Sequence, residues 1–234
     1  MTHDIIWDLE TYPNVFTLHA THAHLPIEWS FEISDWRNDS RAIIEWVHWL
    51  KSLDARMVGF NSIGFDYPIL HAMCRMGQAT ARTLYDKAQA IIGAQDDDNR
   101  WMHQVKPTDR LVDQLDLFLI HHFDNRARST GLKVLEFNMR ADSVQDLPFP
   151  FGTSLTREQA EVLKQYNAHD VAQKHRSLQP EGERGYRSIR RILRIRPTFS
   201  RARFAAGALA PDGRVVLVDD DHLRVIDPAR GDIL

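Results

Sequence analysis

Cysteine is almost missing: Cys74 is the only one in 234 residues. An intramolecular disulfide and any zinc site built from several cysteines are thereby excluded. Its apolar setting, Pro-Ile-Leu-His-Ala-Met-Cys74, reads as a buried thiol, and the expected compartment is a reducing cytoplasm. Long apolar runs are missing too. None approaches the roughly 18 residues that span a bilayer, and the opening MTHDIIWDLE reaches an acid at once, without a basic-then-apolar signal pattern; no membrane partner is expected. Internal repeats and low-complexity tracts are absent. The net charge of −3 does not announce a nucleic-acid binder, but charge is unevenly spread. Residues 184–203 hold eight arginines and no acid, whereas Asp96, Asp97 and Asp98 form an acidic knot. The arginine stripe suits phosphate contact or a solvated helix face equally well.

What is present fits an α/β protein. A hydrophobic share of 43% and a charged share of 26% are ordinary for a globular chain, and the length suffices for one sizeable domain with an appendage. Asp4–Leu9 reads as a strand, Thr11–Asn14 as a turn, and Val15–Ala20 and Ile27–Ile33 as two more strands of a meander. Apolar residues at Ile43, Ile44, Val47 and Leu50 predict a helix from Ser40, and Arg56–Phe60 a short strand. Further helices are expected over Asp66–Met76, ended by Gly77, and Thr80–Ile92, ended by Gly93. Residues 95–108 read as a loop and Leu111–Ile120 as a strand running into a helix. A short helix is expected over Gly131–Phe137, then a proline-rich connection over Leu147–Gly152. A long helix capped by Thr156 should run to about Leu178. This order predicts a mixed sheet flanked by helices. Pro180-Glu-Gly-Glu marks the expected boundary between a domain of residues 1–180 and a C-terminal extension, 181–234. The extension should hold a basic helix and a hairpin of Arg214–Val218 with Leu223–Ile226.

Three segments carry chemistry. In Asp8-Leu-Glu10, strand spacing projects both carboxylates from one face. Like charges so placed repel and perturb each other's pKa unless a cation intervenes, and hard divalent cations favour carboxylate oxygen; a polar strand end is the plainer reading. In Asn61-Ser-Ile-Gly-Phe-Asp66, a loop leaves the end of a strand, where α/β folds place sites. Asp66 can equally cap the helix that follows. In Tyr166-Asn-Ala-His-Asp170, helical spacing sets the phenol and the carboxylate on one face, which also suits a surface tyrosine and a solvated acid.

Together the three segments resemble the tyrosine subgroup of the DEDD exonuclease superfamily, over residues 4–178. More narrowly, they are similar to the proofreading exonuclease domain of phage and family B-type DNA polymerases. The matches are Asp8, Glu10 and Thr11; Asn61, Phe65 and Asp66; and Tyr166 with Asp170, preceded by a similar helix entry, Leu155-Thr-Arg-Glu-Gln. The histidine subgroup's base position holds Gln165, and His169 faces about 100° away from Asp170 on a helix.

The resemblance implies a ribonuclease H-like fold and a 3′→5′ exonuclease that trims single-stranded DNA ends to nucleoside 5′-monophosphates. It implies two divalent cations, Mg²⁺ or Mn²⁺, held by Asp8, Glu10, Asp66 and Asp170. Asp8 serves both ions, Glu10 and Asp170 the one that activates water, and Asp66 the other. Tyr166 orients the attacking water, since a phenol with a pKa of about 10 is a poor base at pH 7. Thr11, Asn61 and Phe65 are the expected substrate contacts, Phe65 by stacking on splayed bases or else as ordinary core. Lys133, with Arg140 as its rival, is the candidate for an auxiliary cation at the phosphate, against a plain solvated lysine. The chain is too short to include a polymerase, so the expectation is either a stand-alone exonuclease, such as a phage-encoded one, or an exonuclease segment separated from its polymerase, with a DNA polymerase subunit as the candidate partner. Two other readings stand beside it: an RNA-trimming exonuclease of the same superfamily, and a non-catalytic nucleic-acid-binding or polymerase-accessory module. Outside these segments, His19, His22 and His24 superficially suggest zinc. His121-His122 reads as an element end. Trp36, Trp46 and Trp49 read as core or helix-packing residues, and Trp101 as a loop residue.

Overall fold

The computed structural model describes residues 3–94, 100–121 and 146–177 and the strand residues 206–209, 215–218 and 223–226. The chain falls into two compact units, Met1–Gln114 with Gln145–Ala172, and Leu115–Val144 with Gln173–Leu234.

The architecture is α/β, with a five-stranded mixed sheet flanked by helices. Strands β1 (Asp4–Tyr12), β2 (Val15–His22) and β3 (Glu28–Ser34) form the meander. Helix α1 (Ser40–Ser52) follows, then β4 (Arg56–Gly59), which pairs in parallel with β1. With β5 (Asp113–Asp116) the sheet order is β3-β2-β1-β4-β5.

The alternation of β1 decides how the sheet is covered. Ile5, Trp7 and Leu9 join Phe16, Leu18 and Ala20 of β2 in a core that also buries Ile43, Trp46, Val47 and Leu50 of α1. Helices α2 (Asp66–Met76) and α3 (Ala81–Gly93) complete that core with Ile69, Leu70, Met73, Leu84 and Ala88. The opposite face carries Asp4, Asp8, Glu10 and Tyr12. At one end Arg56 of β4 grips Asp4 with two parallel bonds, Nε to Oδ1 at 2.9 Å and a terminal nitrogen to Oδ2 at 2.8 Å. At the other, Tyr12 and Val15 pack with Leu155, Ala160, Leu163 and Tyr166. Those last residues introduce α5 (Arg157–Ser177), which enters through a capping box. Gln159 N donates to Thr156 Oγ1 at 3.3 Å, and Thr156 N donates to Gln159 Oε1 at 2.8 Å.

The second unit contains α4 (Leu117–His121) and an antiparallel sheet of β6 (Ala206–Leu209), β7 (Val215–Val218) and β8 (Leu223–Ile226). The β7–β8 hairpin matches the expectation. Strand β6 had no signal, because Ala-Gly-Ala-Leu lacks the β-branched and aromatic residues that mark strands.

Several boundaries differ from the expected ones. Thr11 and Tyr12 stay in β1 because they pair with Phe16 and Val15, so the turn shrinks to Pro13-Asn14. Gly77 caps α2 in the left-handed conformation, φ 74°. Gly93, by contrast, is the last helical residue of α3, and Ala94 caps it in the right-handed region, where no glycine is needed. The stretch read as loop contains two 3₁₀ turns, Arg100–His103 and Pro107–Asp109. Among the tryptophans Trp46 is buried, whereas Trp49 is 45% exposed and leans on Trp29 with ring centroids 5.9 Å apart. Trp101 is exposed in its 3₁₀ turn. Cys74 is half-buried, and burial pushes its thiol up to about 12. The boundary at Pro180, the arginine stripe, the acidic knot and the helix expected over Gly131–Phe137 lie outside the described residues.

Candidate functional site

The site is built where α5 crosses the face of β1 that bears acids. Asp8 and Glu10 project from the strand on that side. Antiparallel pairing sets His19 opposite Asp8, and Thr17 opposite Glu10, with Glu32 of β3 next in the Glu10 row. On α5, Leu163, Tyr166, Asn167 and Asp170 fall at i, i+3, i+4 and i+7, a single helical stripe. Leu163 and Asn167 are fully buried and Tyr166 nearly so.

Three clamps hold that stripe against the sheet. The Tyr12 hydroxyl donates to the Phe149 carbonyl at 2.7 Å. Asn14 takes both backbone groups of Leu155, accepting from its N–H at 2.8 Å and donating to its carbonyl at 2.9 Å. Lys164 reaches Glu32 of β3 at 3.0 Å. Burial of Glu32 favours its neutral form, but hydrogen bonds from Ser34 and Lys164 outweigh it and hold the carboxyl below its ordinary range.

The result is a tight carboxylate group. Asp8, Glu10 and Asp170 each offer one oxygen, and the three lie within 4.8 Å of one another; Asp8 is buried and the other two half-buried. Tyr166 stands over them. Burial first, then the charges of Asp170, Glu10 and Asp8 and a hydrogen bond to Asp170, raise its phenol far above the ordinary range, so it stays protonated. Such an all-oxygen donor set fits hard divalent cations such as Mg²⁺ and Mn²⁺.

Thr11 is half-buried at the end of β1. The last paired residues of β1 and β4 are Ile6 and Val58, so the chain leaves β4 level with the Asp8–Glu10 end of its neighbour. There Gly59 is required, since a Cβ on it would lie 2.5 Å from that of Ser62. Asn61 follows, exposed and with φ 56°, a conformation that asparagine tolerates better than most residues. Its carbonyl accepts from the N–H groups of Gly64 and Phe65, and this turn delivers Asp66 to α2. Asp66 is not the helix cap: it is the first helical residue, buried, with Phe65 at the cap position and no side-chain cap bond there. It stands outside the group of three within 4.8 Å. Phe65 is half-buried and packs on the core beneath α2. Lys133 and Arg140 lie outside the described residues.

Two neighbours of the site were missed in the sequence. Asn167 Nδ2 donates to Asp8 Oδ2 at 3.3 Å across 159 residues, although it lies inside the Tyr166–Asp170 segment. His19 adjoins Asp8 only through strand register. Burial lowers its pKa more than Glu28 and Asp8 raise it, which leaves it neutral. The histidine run forms no metal group among the described residues. His22 Nδ1 accepts from the N–H groups of His24 and Leu25 and is spent on closing that turn. No helix among the described residues is long and apolar enough to cross a membrane. No protein-family model, curated protein or solved structure matches this chain.

Proposed function

We propose that this protein is a divalent-metal-dependent 3′→5′ exonuclease of the tyrosine-type DEDD class, with a ribonuclease H-like fold, acting on single-stranded DNA ends. The observation that carries the reading is the convergence of Asp8, Glu10 and Asp170 within 4.8 Å under the Tyr166 phenol. Three carboxylates gathered from a strand and a distant helix repel one another. Such a cluster suits cation binding, whereas plain contact with a polyanion calls for basic groups.

In this reading Asp8, Glu10 and Asp170 hold cations, and Asp66 adds the fourth carboxylate from α2. When bound, two divalent cations polarise the scissile phosphate, make water acidic enough to attack at neutral pH and neutralise the leaving 3′-oxygen. Tyr166 keeps its proton and orients the attacking water. Thr11 offers a hydroxyl and Asn61 an amide to the terminal nucleotide. Phe65, half-buried against the core, offers its ring for stacking on a terminal base. Nucleoside 5′-monophosphates are the product. A DNA polymerase subunit remains the partner that proofreading chemistry suggests.

The test is digestion of matched DNA and RNA oligonucleotides labelled at the 5′ end, with Mg²⁺ or Mn²⁺ and with Asp8→Ala as control. A ladder shortening by single nucleotides from the 3′ end of DNA supports the proposal. Preference for RNA supports the RNA-trimming reading. A wild type as inert as Asp8→Ala leaves only a non-catalytic binding module.

A further inference from the structure

Asn167 is fully buried on the inward stripe of α5, and packing alone does not call for an amide there. A leucine of similar shape fills such a place without a polar group to satisfy. Its Nδ2 donates to Asp8 Oδ2 at 3.3 Å. An ionised carboxylate only accepts, so the NH₂ group must be the one facing it, which leaves Oδ1 as the other end of the amide. That Oδ1 is buried and has no hydrogen-bond partner. An unmatched buried carbonyl oxygen is unfavourable, so packing alone does not account for the amide, and its bond to Asp8 is what it contributes.

The length of the contact says what kind of role. Charge-assisted N⁺–H···O⁻ bonds are usually about 2.7–2.9 Å; this donor is a neutral amide at 3.3 Å, which constrains Asp8 without supplying a positive charge to neutralise it. A carboxylate restrained through one oxygen presents the other in a set direction, here within a group whose other members are Glu10 and Asp170. We propose that Asn167 is a positioning residue for the carboxylate group: its amide hydrogens hold Asp8 in the orientation that receives a divalent cation. This rests on the reading of Asp8, Glu10 and Asp170 as a cation site. Partners that orient ligands in this way typically alter metal affinity by about 10- to 100-fold when removed.

The experiment compares the full chain with Asn167→Leu and Asn167→Ala. Mn²⁺ is titrated calorimetrically without nucleic acid, thermal unfolding is followed in EDTA, and mononucleotide release is measured against Mn²⁺ concentration. Both variants are expected to fold in EDTA, the leucine at close to the wild-type Tm. Both should bind Mn²⁺ about 10- to 100-fold more weakly and recover cleavage as Mn²⁺ is raised. Folded variants that bind Mn²⁺ as tightly as a binding-competent wild type overturn the role of Asn167 and leave the nuclease reading standing. If neither variant folds in EDTA, the asparagine is structural and the proposal is overturned. A wild type that takes up no Mn²⁺ sinks the cation site, and the role of Asn167 with it.

Discussion

Asn14 and Leu155 exchange two hydrogen bonds, 2.8 and 2.9 Å long, across 141 residues of chain. This pairing ties the β1–β2 turn to the residue just before the cap of α5, the helix that brings Tyr166 and Asp170 to Asp8 and Glu10.

Replacing Asn14 with alanine removes both bonds and leaves the Leu155 amide unmatched. The expected cost is about 1–3 kcal/mol, or about 2–12 °C in Tm for a chain of this size. Mn²⁺ affinity should weaken as well, because α5 loses one of its anchors. Differential scanning calorimetry and metal titration check this; an unchanged Tm contradicts an anchoring role.

Asp8→Ala and Asp66→Ala should abolish mononucleotide release, by about 1000-fold or more, since the electrostatic stabilisation lost amounts to several kcal/mol. The fold should persist. Removing Asp8 from a group within 4.8 Å of two other carboxylates relieves repulsion but unpairs the Asn167 amide, so the two effects oppose and a cooperative thermal transition should remain in EDTA. Loss of the thermal transition in either variant shows that the acids are structural.

Tyr166→Phe keeps the ring and the carboxylates and loses the hydroxyl that orients water. Activity should fall by about 10- to 100-fold, with the shape of the pH–rate profile unchanged, because burial and three neighbouring carboxylates keep this phenol protonated. Loss of a basic limb from the profile contradicts an orienting role and makes the phenol a base.

Tyr12 sets an alkaline limit on stability. Burial first, and the Glu10 charge second, push its phenol up to about 12, while the unfolded chain ionises near about 10. A pKa raised in the folded state contributes stability that is complete below pH 10 and is lost as pH climbs towards 12. Tyr12→Phe should therefore be less stable than wild type at pH 8, lacking the bond to Phe149, and should lose less on going to pH 11. Parallel urea titrations at the two pH values test this, and equal losses refute it.

Most of the first unit was legible because local periodicity is strong there. The meander, α1 and α2 follow from β-branched alternation, from apolar residues at helical spacing and from Gly77 at a left-handed cap. Gly93 misled because a glycine past a helical run signals an end only where the backbone turns left-handed, and there it does not. Asn167 and His19 stayed hidden for another reason. Nothing local distinguishes an asparagine on a helix or a histidine on a strand from a solvent-facing one until the partner strand's register and the helix's docking are known.

Two facts about the site were determined by the sequence alone: a two-residue period sets Asp8 and Glu10 on one face of a strand, and an i, i+4 spacing sets Tyr166 and Asp170 on one face of a helix. Both follow from backbone geometry over a single turn or pleat. Tertiary structure alone decided that these two faces meet, that Asn167 slots between them and that Asp66 stands apart from the closest group. Those outcomes depend on contacts spanning more than a hundred residues, among them Tyr12 with Phe149, Asn14 with Leu155, and Lys164 with Glu32, whose formation no local pattern specifies.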